Sequence, residues 1–313
     1  MPLSKIQTTN NQVVPNLGRR NIIINGAMQV AQRGTSNTGL GASGGYFNLD
    51  RFRLGPSGTA GRLTMSQSTV TDLPGFANAL KLDCTTADTS IAAGEIFRVQ
   101  TTLEGQDLQL LAKGTSSAKK ITVSFYVKGN ASATYMVELY DNDNNRNNTQ
   151  QFAVTSSWNR ISLTFAGDTT GAFDNDNALS LYLNFWIHAG STYSGGSYVA
   201  NTWASPTNAN RAAGISSFFD STNRTLEITG LQMEAGDTAT PFEHRSFNEE
   251  LRLCQRYFWI LNDKGATSDS LAAWGRAESN TEIIWWVPFP VEMRAVPTIA
   301  VNGSASDVYA NSV

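Results

Sequence analysis

Apolar and polar residues alternate with the two-residue period of a half-buried strand over many short stretches of this chain. Ile121, Val123, Phe125 and Val127 alternate with Thr122, Ser124 and Tyr126 before Lys128-Gly129 ends the run. The longest run carries Leu179, Leu181, Leu183, Phe185 and Ile187, and Ile161, Leu163 and Phe165 follow Trp158 in the same way. Shorter strands are predicted at Arg62 to Gln67, Ala79 to Cys84, Ile96 to Thr101 and Tyr135 to Tyr140. Ile22 to Ile24 and Met28 to Val30 read as a first strand broken by a turn at Asn25-Gly26, followed by a loop from Gly34 to Gly45 and a strand from Tyr46 to Leu54. Gln106 to Ala112 fits a helical turn or a buried strand, and Asp141 to Asn148 reads as a polar loop. Strands of this length, separated by Asn, Gly and Asp turns with no amphipathic helices between them, predict an all-β antiparallel sandwich. A jelly roll is the expected topology.

The stretch from Thr225 to Phe258 changes period. Leu226 and Ile228 alternate with Glu227 and Thr229, Gly230 predicts a bulge or close backbone approach, and the strand resumes to Glu234. Ser246-Phe-Asn-Glu249 then reads as a capping box that starts a helix at Phe247. Phe247, Leu251, Cys254, Phe258 and Leu261 make a narrow apolar seam, suited to a partner helix or to the underside of a domain. Beyond it, Ile283 to Val287, Phe289-Pro290 and Pro297 to Val301 are β-rich, with no closing strand evident. The predicted organisation is an extended arm over 1–20, a sandwich over 21–245, a linker helix over 246–262 and, over 263–313, the start of a second small β domain.

The 313 residues suffice for one large β domain and a smaller one. Charged residues are 16%, against roughly 25% in an average domain, so the surface is built from neutral hydrogen-bonding groups. With a net charge of −3 and no run of Lys or Arg, the chain lacks the electrostatic footprint of a nucleic-acid binder. No apolar run reaches membrane-spanning length, and Met1 to Gln12 lacks the apolar core of an export signal. Cys84 and Cys254 are expected as free buried thiols, and His188 and His244 are too few for a three-histidine zinc site.

No catalytic motif stands out. Ser116 and Lys119 have a serine-x-x-lysine spacing without its accompanying motifs. Asp141 with Asp143 and Asp174 with Asp176 lie in Asn-rich loops, badly placed for a glycosidase acid and base. They are better candidates for calcium, or for solvated turns using Asx hydrogen bonds. The aromatics carry the strongest functional signal. If the leucines of Leu179 to His188 face the core, Tyr182, Asn184, Trp186 and His188 face outward, and the next loop adds Tyr193, Tyr198 and Trp203 among Ser, Gly and Asn. Such rigid aromatics beside adaptable polar groups suit a glycan site; the alternative is that the loop or a neighbouring subunit covers them.

Three segments, Asn21 to Gly34, Asp50-Arg51-Phe52 and Gly230 to Phe258, together resemble a group of bacteriophage virion proteins, the tail-fibre or receptor-binding proteins. The resemblance covers roughly Gly18 to Phe258 and implies a jelly roll like that of carbohydrate-binding modules, a tryptophan in the core at Trp158, assembly in the host cytoplasm and a place in the virion. It implies that the arm docks on other virion proteins, the alternative being a frayed terminus. A homotrimer is implied, and the helical seam would be its meeting point unless that seam packs within the chain. The modules often hold one structural calcium, which points to Asn25 and Glu227, although Gln29 stands where an acid is frequent. The expected function is a non-enzymatic adhesin for a host cell-surface glycan; a capsid-decorating or fibre-shaft protein is the alternative, and a polysaccharide depolymerase a third.

Overall fold

The computed structural model describes residues 19–260, 274–277, 283–286, 288–302 and 307–311. Twelve strands build the main body: β1 (Ser36–Leu40), β2 (Gly45–Tyr46), β3 (Arg53–Ser57), β4 (Arg62–Thr69), β5 (Asn78–Thr86) and β6 (Ile96–Glu104), then β7 (Ile121–Gly129), β8 (Ala133–Asp141), β9 (Arg146–Val154), β10 (Asn159–Phe165), β11 (Leu179–Ala189) and β12 (Thr225–Ala235). They form two six-stranded antiparallel sheets, ordered β1-β4-β5-β12-β7-β10 and β2-β3-β6-β11-β8-β9. From β5 to β12 the order 5-12-7-10 in one sheet and 6-11-8-9 in the other is that of two interlocked Greek keys, a jelly roll.

The alternation seen in the sequence sets the core. Val123, Phe125 and Val127 of β7 and Leu181, Leu183 and Phe185 of β11 are all buried between the sheets. The Phe125 ring meets Phe152 and Phe185 edge-on, each at 5.1 Å, the geometry favoured by aromatic quadrupoles. Gly230 sits at φ +61 where the β12 register shifts, and a Cβ there would lie 2.7 Å from the Phe76 ring. The expected bulge is therefore a close approach as well.

Several local readings give way to side-chain hydrogen bonding. The turn predicted at Asn25-Gly26 is present over residues 24–27, but the residues on either side of it form no strand, and Asn25 and Met28 have positive φ. The Asn25 amide donates to the carbonyls of Val30 (2.8 Å) and Asp50 (2.9 Å) and accepts from the Val30 N–H, replacing a strand ladder. Arg51 at φ +71 lies between β2 and β3, so Tyr46 to Leu54 is two strands, and β1 lies inside the predicted glycine loop. Gln106 to Ala112 resolves as a 3-10 helix over Gly105–Leu111, and the polar loop shrinks to a turn because β8 and β9 extend to Asp141 and Arg146. Trp158 is not core. It lies half-buried at the surface, donating to Asp72 Oδ1 at 2.8 Å with the Lys128 ammonium 4.8 Å from its ring.

A one-turn helix α1 (Ser191–Ser194) follows β11, and α2 (Phe247–Gln255) follows β12. The Ser246 hydroxyl accepts from the Glu249 N–H at 3.3 Å, while the Glu249 carboxylate reaches Arg19 at 3.4 Å instead of closing the box. Replacing Ser246 with Ala should cost about 1 kcal/mol and Gly only a few tenths, read from urea unfolding midpoints. The helix ends at Gln255, short of the predicted 262, because Arg256 and Tyr257 both turn to Glu104. Cys254 and Phe258 of the seam are buried, Phe247 is 53% exposed, and Leu261 lies outside the described residues. The 1–18 arm lies outside them as well.

Further along, β13 (Phe258–Ile260) joins a three-stranded sheet, and a hairpin pairs β14 (Trp274–Ala277) with β15 (Ile283–Trp286). The sheet is completed by β16 (Thr298–Asn302) and β17 (Asp307–Asn311), and β17 pairs with both β13 and β16. It is the closing strand that the sequence did not reveal.

The three segments that carry the family resemblance meet at one end of the sandwich. Arg245 donates to the carbonyls of Asn21 and Ile23, Glu250 accepts from the Asn25 N–H, and Gln32 donates to the Phe258 carbonyl at 2.8 Å. Arg33 pairs with Asp50 at 2.9 Å and stacks 3.5 Å from the Phe258 ring.

Candidate functional site

The outward side chains of the second sheet stand in rows fixed by strand register. One row runs Thr102, Tyr182, Tyr140, Asn147; the next runs Arg53, Gln100, Asn184, Glu138, Thr149; a third runs Arg98, Trp186, Met136, Gln151. In the middle row, Gln100 donates to Asn184 Oδ1 (2.7 Å) and Asn184 donates to Glu138 Oε2 (2.9 Å). Glu138 also accepts from the Trp186 indole (2.8 Å), from Asn147 (2.9 Å) and from both Nε and Nη2 of Arg211 (2.7 and 3.0 Å). Burial works to raise the pKa of Glu138, but the Arg211 charge and these bonds outweigh it and hold the carboxylate below its ordinary value. Gly55 is required here, since a Cβ would sit 2.4 Å from Gln100 Oε1.

The segment 190–216 roofs half of this face. Tyr193 stacks 5.6 Å from Trp186, Ala212 packs beside it, and the Arg211 guanidinium lies 5.0 Å from the Tyr140 ring and 5.2 Å from Trp186. Trp186 and Asn184 are consequently buried: they form no open platform, and the alternative in which the following loop covers them holds. The reason is electrostatic as much as hydrophobic: a carboxylate on this face needs a cation, and the roof brings it.

The structure thus groups Tyr182, Asn184, Trp186 and Tyr193, and separates the other two predicted residues. Trp203 lies elsewhere, its indole donating to the Ala166 carbonyl at 2.7 Å. His188 follows a register shift after Trp186 and meets Glu95 and Ser217 instead. Burial lowers its pKa and outweighs the pull of the Glu95 carboxylate. Tyr198 is exposed, with its hydroxyl accepting from the Gln151 N–H.

The unroofed half is lined by Tyr46, Arg53, Thr102 and Tyr182, with Arg98 and Tyr140 at its border, where Arg98 lies 4.8 Å from the Trp186 ring and Tyr140 meets Arg211; all six are half-buried. Beside it, Tyr46, Arg53 and Thr102 border a cavity of about 110 Å³ that reaches Tyr257. The Nε atoms of Arg53 and Arg98 are buried and have no hydrogen-bond partner. Burial also lowers the Arg98 pKa against the pull of Glu138, so this cation is partly desolvated. Sequence reading missed both arginines, together with Gln100, Glu138 and Tyr140. The signal was present: each sits at an outward position of a strand whose inward residues, such as Val99, Val137 and Leu139, are apolar.

The other candidates are structurally occupied. Asp141 lies 2.5 Å from Lys113 Nζ, Asp143 accepts from the Asp174 N–H, and Glu227 pairs with Lys128 at 3.5 Å. The Asn25 side chain is engaged by backbone. Ser116 and Lys119 are exposed. Cys84 and Cys254 are free and buried, as expected, and burial pushes the Cys254 thiol well up.

No protein-family model and no curated protein matches this sequence. Among solved structures, the chain is similar to TmCBM61 in complex with β-1,4-galactotriose, at 8% identity and a TM-score of 0.34 over 69% of this chain and 99% of that one. It is also similar to the family 11 carbohydrate-binding module from Clostridium thermocellum in complex with a β-1,3-1,4-mixed-linked tetrasaccharide, at 12% identity and a TM-score of 0.30 over 66% of this chain and 98% of that one. A third is the enzymatically active domain of tailspike protein 4 from bacteriophage CBA120, at 10% identity and a TM-score of 0.33, where 69% of this chain matches only 21% of the other. At TM-scores of this size none of them assigns a role to a residue of this chain.

Proposed function

We propose that this chain is a glycan-binding adhesin, and that the unroofed half of the second sheet grips a sugar bearing a carboxylate. The observation that carries this reading is the pair Arg53 and Arg98, two cations with unpartnered buried Nε atoms on one sheet face, set among Tyr46, Tyr140 and Tyr182. Arginine forks pair with carboxylates through two parallel bonds, and tyrosine rings present flat faces to sugar C–H groups. A single site of this kind gains a few kcal/mol and binds at about millimolar strength; three linked copies raise avidity by about 10² to 10⁴. The sequence resemblance to phage tail-fibre proteins supports a virion setting, a homotrimer and a host-surface target.

A second reading, a fibre-shaft or capsid-decorating protein, is favoured by one observation: the buried Trp186, Asn184 and Glu138 network is the kind of satisfied polar core kept for assembly. Glycan arrays and whole-cell binding on the purified oligomer separate the two. Arg53→Ala and Arg98→Ala should each weaken binding to acidic glycans roughly 10- to 100-fold, the cost of one charge-assisted hydrogen bond, with melting behaviour unchanged. Absence of any glycan binding by the native oligomer would leave the structural reading standing.

A further inference from the structure

Asp88, Glu95 and His188 lie far apart in sequence but converge where β5, β6 and β11 end. Asp88 follows β5 by two residues, Glu95 immediately precedes β6, and His188 is the penultimate residue of β11. One ligating atom from each lies within 4.8 Å of the other two, and all three residues are buried. His188 Nε2 is 3.1 Å from Glu95 Oε2.

The atoms facing away from the cluster are already held. The Ser217 hydroxyl meets His188 Nδ1 at 2.8 Å, the Ala92 N–H donates to Glu95 Oε1 at 2.9 Å, and Thr59 Oγ1 and the Ala60 N–H donate to Asp88 Oδ2 at 2.8 and 2.7 Å. Outer bonds of this kind fix ligand orientation around a metal. No lysine or arginine among the described residues pairs with any of the three. Two buried carboxylates thus share one end of the sandwich with no cation near them among the described residues except the His188 ring itself, and a metal ion held by all three would balance their charge.

We propose that Asp88, Glu95 and His188 form a structural site for a divalent transition-metal cation, Zn²⁺ foremost, that staples the 87–95 connection to the end of the sandwich. The donor set decides the class. An imidazole nitrogen with two carboxylate oxygens suits Zn²⁺, whereas Ca²⁺ takes six to eight oxygens and Mg²⁺ near-ideal octahedral oxygen geometry. The site uses none of the residues of the proposed glycan face, so it stands or falls independently of that reading.

The presence of only two histidines makes the test direct. The full chain, stripped with a chelator and labelled with ¹⁵N, is titrated with Zn²⁺ while both imidazoles are followed by NMR; His244 is exposed and serves as the internal control. The expected result is one Zn²⁺ bound per chain by competition with a chromophoric chelator, a shift of the His188 nitrogens alone, and a Tm raised by about 5 °C or more at a hundredfold excess over Kd. Glu95→Gln and His188→Asn should each abolish the stoichiometric binding; if either fails to fold, the NMR titration of the native chain decides. No bound Zn²⁺, a shift confined to His244, or binding unchanged in a folded Glu95→Gln would each overturn the proposal.

Discussion

Glu138→Gln should destabilise the folded chain by about 3–5 kcal/mol, the cost of breaking a buried ion pair from one side. Glu138 is fully buried and accepts from Arg211, Asn184, Trp186 and Asn147. A neutral amide leaves the Arg211 charge without its counter-ion under the 190–216 roof, and it turns two acceptor oxygens into one. Urea unfolding at pH 7 reads the loss, and a red shift of tryptophan emission in the folded baseline reports loosening of the roof over Trp186. Arg211→Met should cost a similar amount by stranding the carboxylate, and the double variant should lose less than the sum of the two. The sign with pH follows from the depressed carboxylate pKa. The stability Glu138 contributes is complete above its unfolded value of about 4.3 and is lost as pH falls through the lower folded value. That portion of the acid limb should be missing from Glu138→Gln. A change within about 0.5 kcal/mol would mean that the network is not a single electrostatic unit.

Lys113→Met should cost a comparable amount, about 3–5 kcal/mol in the same measurement, at the end of the same strand, β8. Its buried ammonium lies 2.5 Å from Asp141 and 3.2 Å from Asp168, and it donates to the carbonyls of Thr170 and Gly171 at 2.9 and 2.6 Å. Asp168 keeps Arg146 at 2.7 Å when Lys113 is removed, but Asp141 keeps only the Asn144 donors. Most of the loss therefore belongs to Asp141. Adding Asp141→Asn should recover part of it, because the orphaned charge disappears; a double variant no more stable than Lys113→Met would place the cost in packing against Phe173 and Trp203 instead.

The strands of the jelly roll were legible where one face is apolar without exception, as in β7, β11 and β12, since there the two-residue period maps directly onto inside and outside. Reading failed where a side chain replaces the backbone as hydrogen-bond partner. Asn25 does so at residues 22–30, and Glu104 does so at the end of α2; the Asn25 bond to the Asp50 carbonyl spans 25 positions and the Glu104 bond to Arg256 spans 152, which periodicity over a short window does not register. For the site, the pattern correctly put Tyr182, Asn184 and Trp186 on the outward face. That the next loop covers this face was the alternative the sequence left open; the cation the loop brings was not legible, because Arg211 reaches Glu138 across 73 positions and lies in a loop with no period of its own. His188 was misplaced by the β11 register shift, which displaces it from the row it would otherwise occupy.

The clamp between residues 21–25 and α2 has a mechanical consequence. Asn21 and Phe258 enter and leave the body at the same end, tied together by Arg245, Glu250, Gln32 and the Ile22 N–H to Met233 carbonyl bond. Tension applied between those two points is carried across this short knot of bonds and the end of β12 at Met233, and the other strands lie outside the load path. Under such a load the rest of the sandwich is a side branch, and the second sheet keeps its shape.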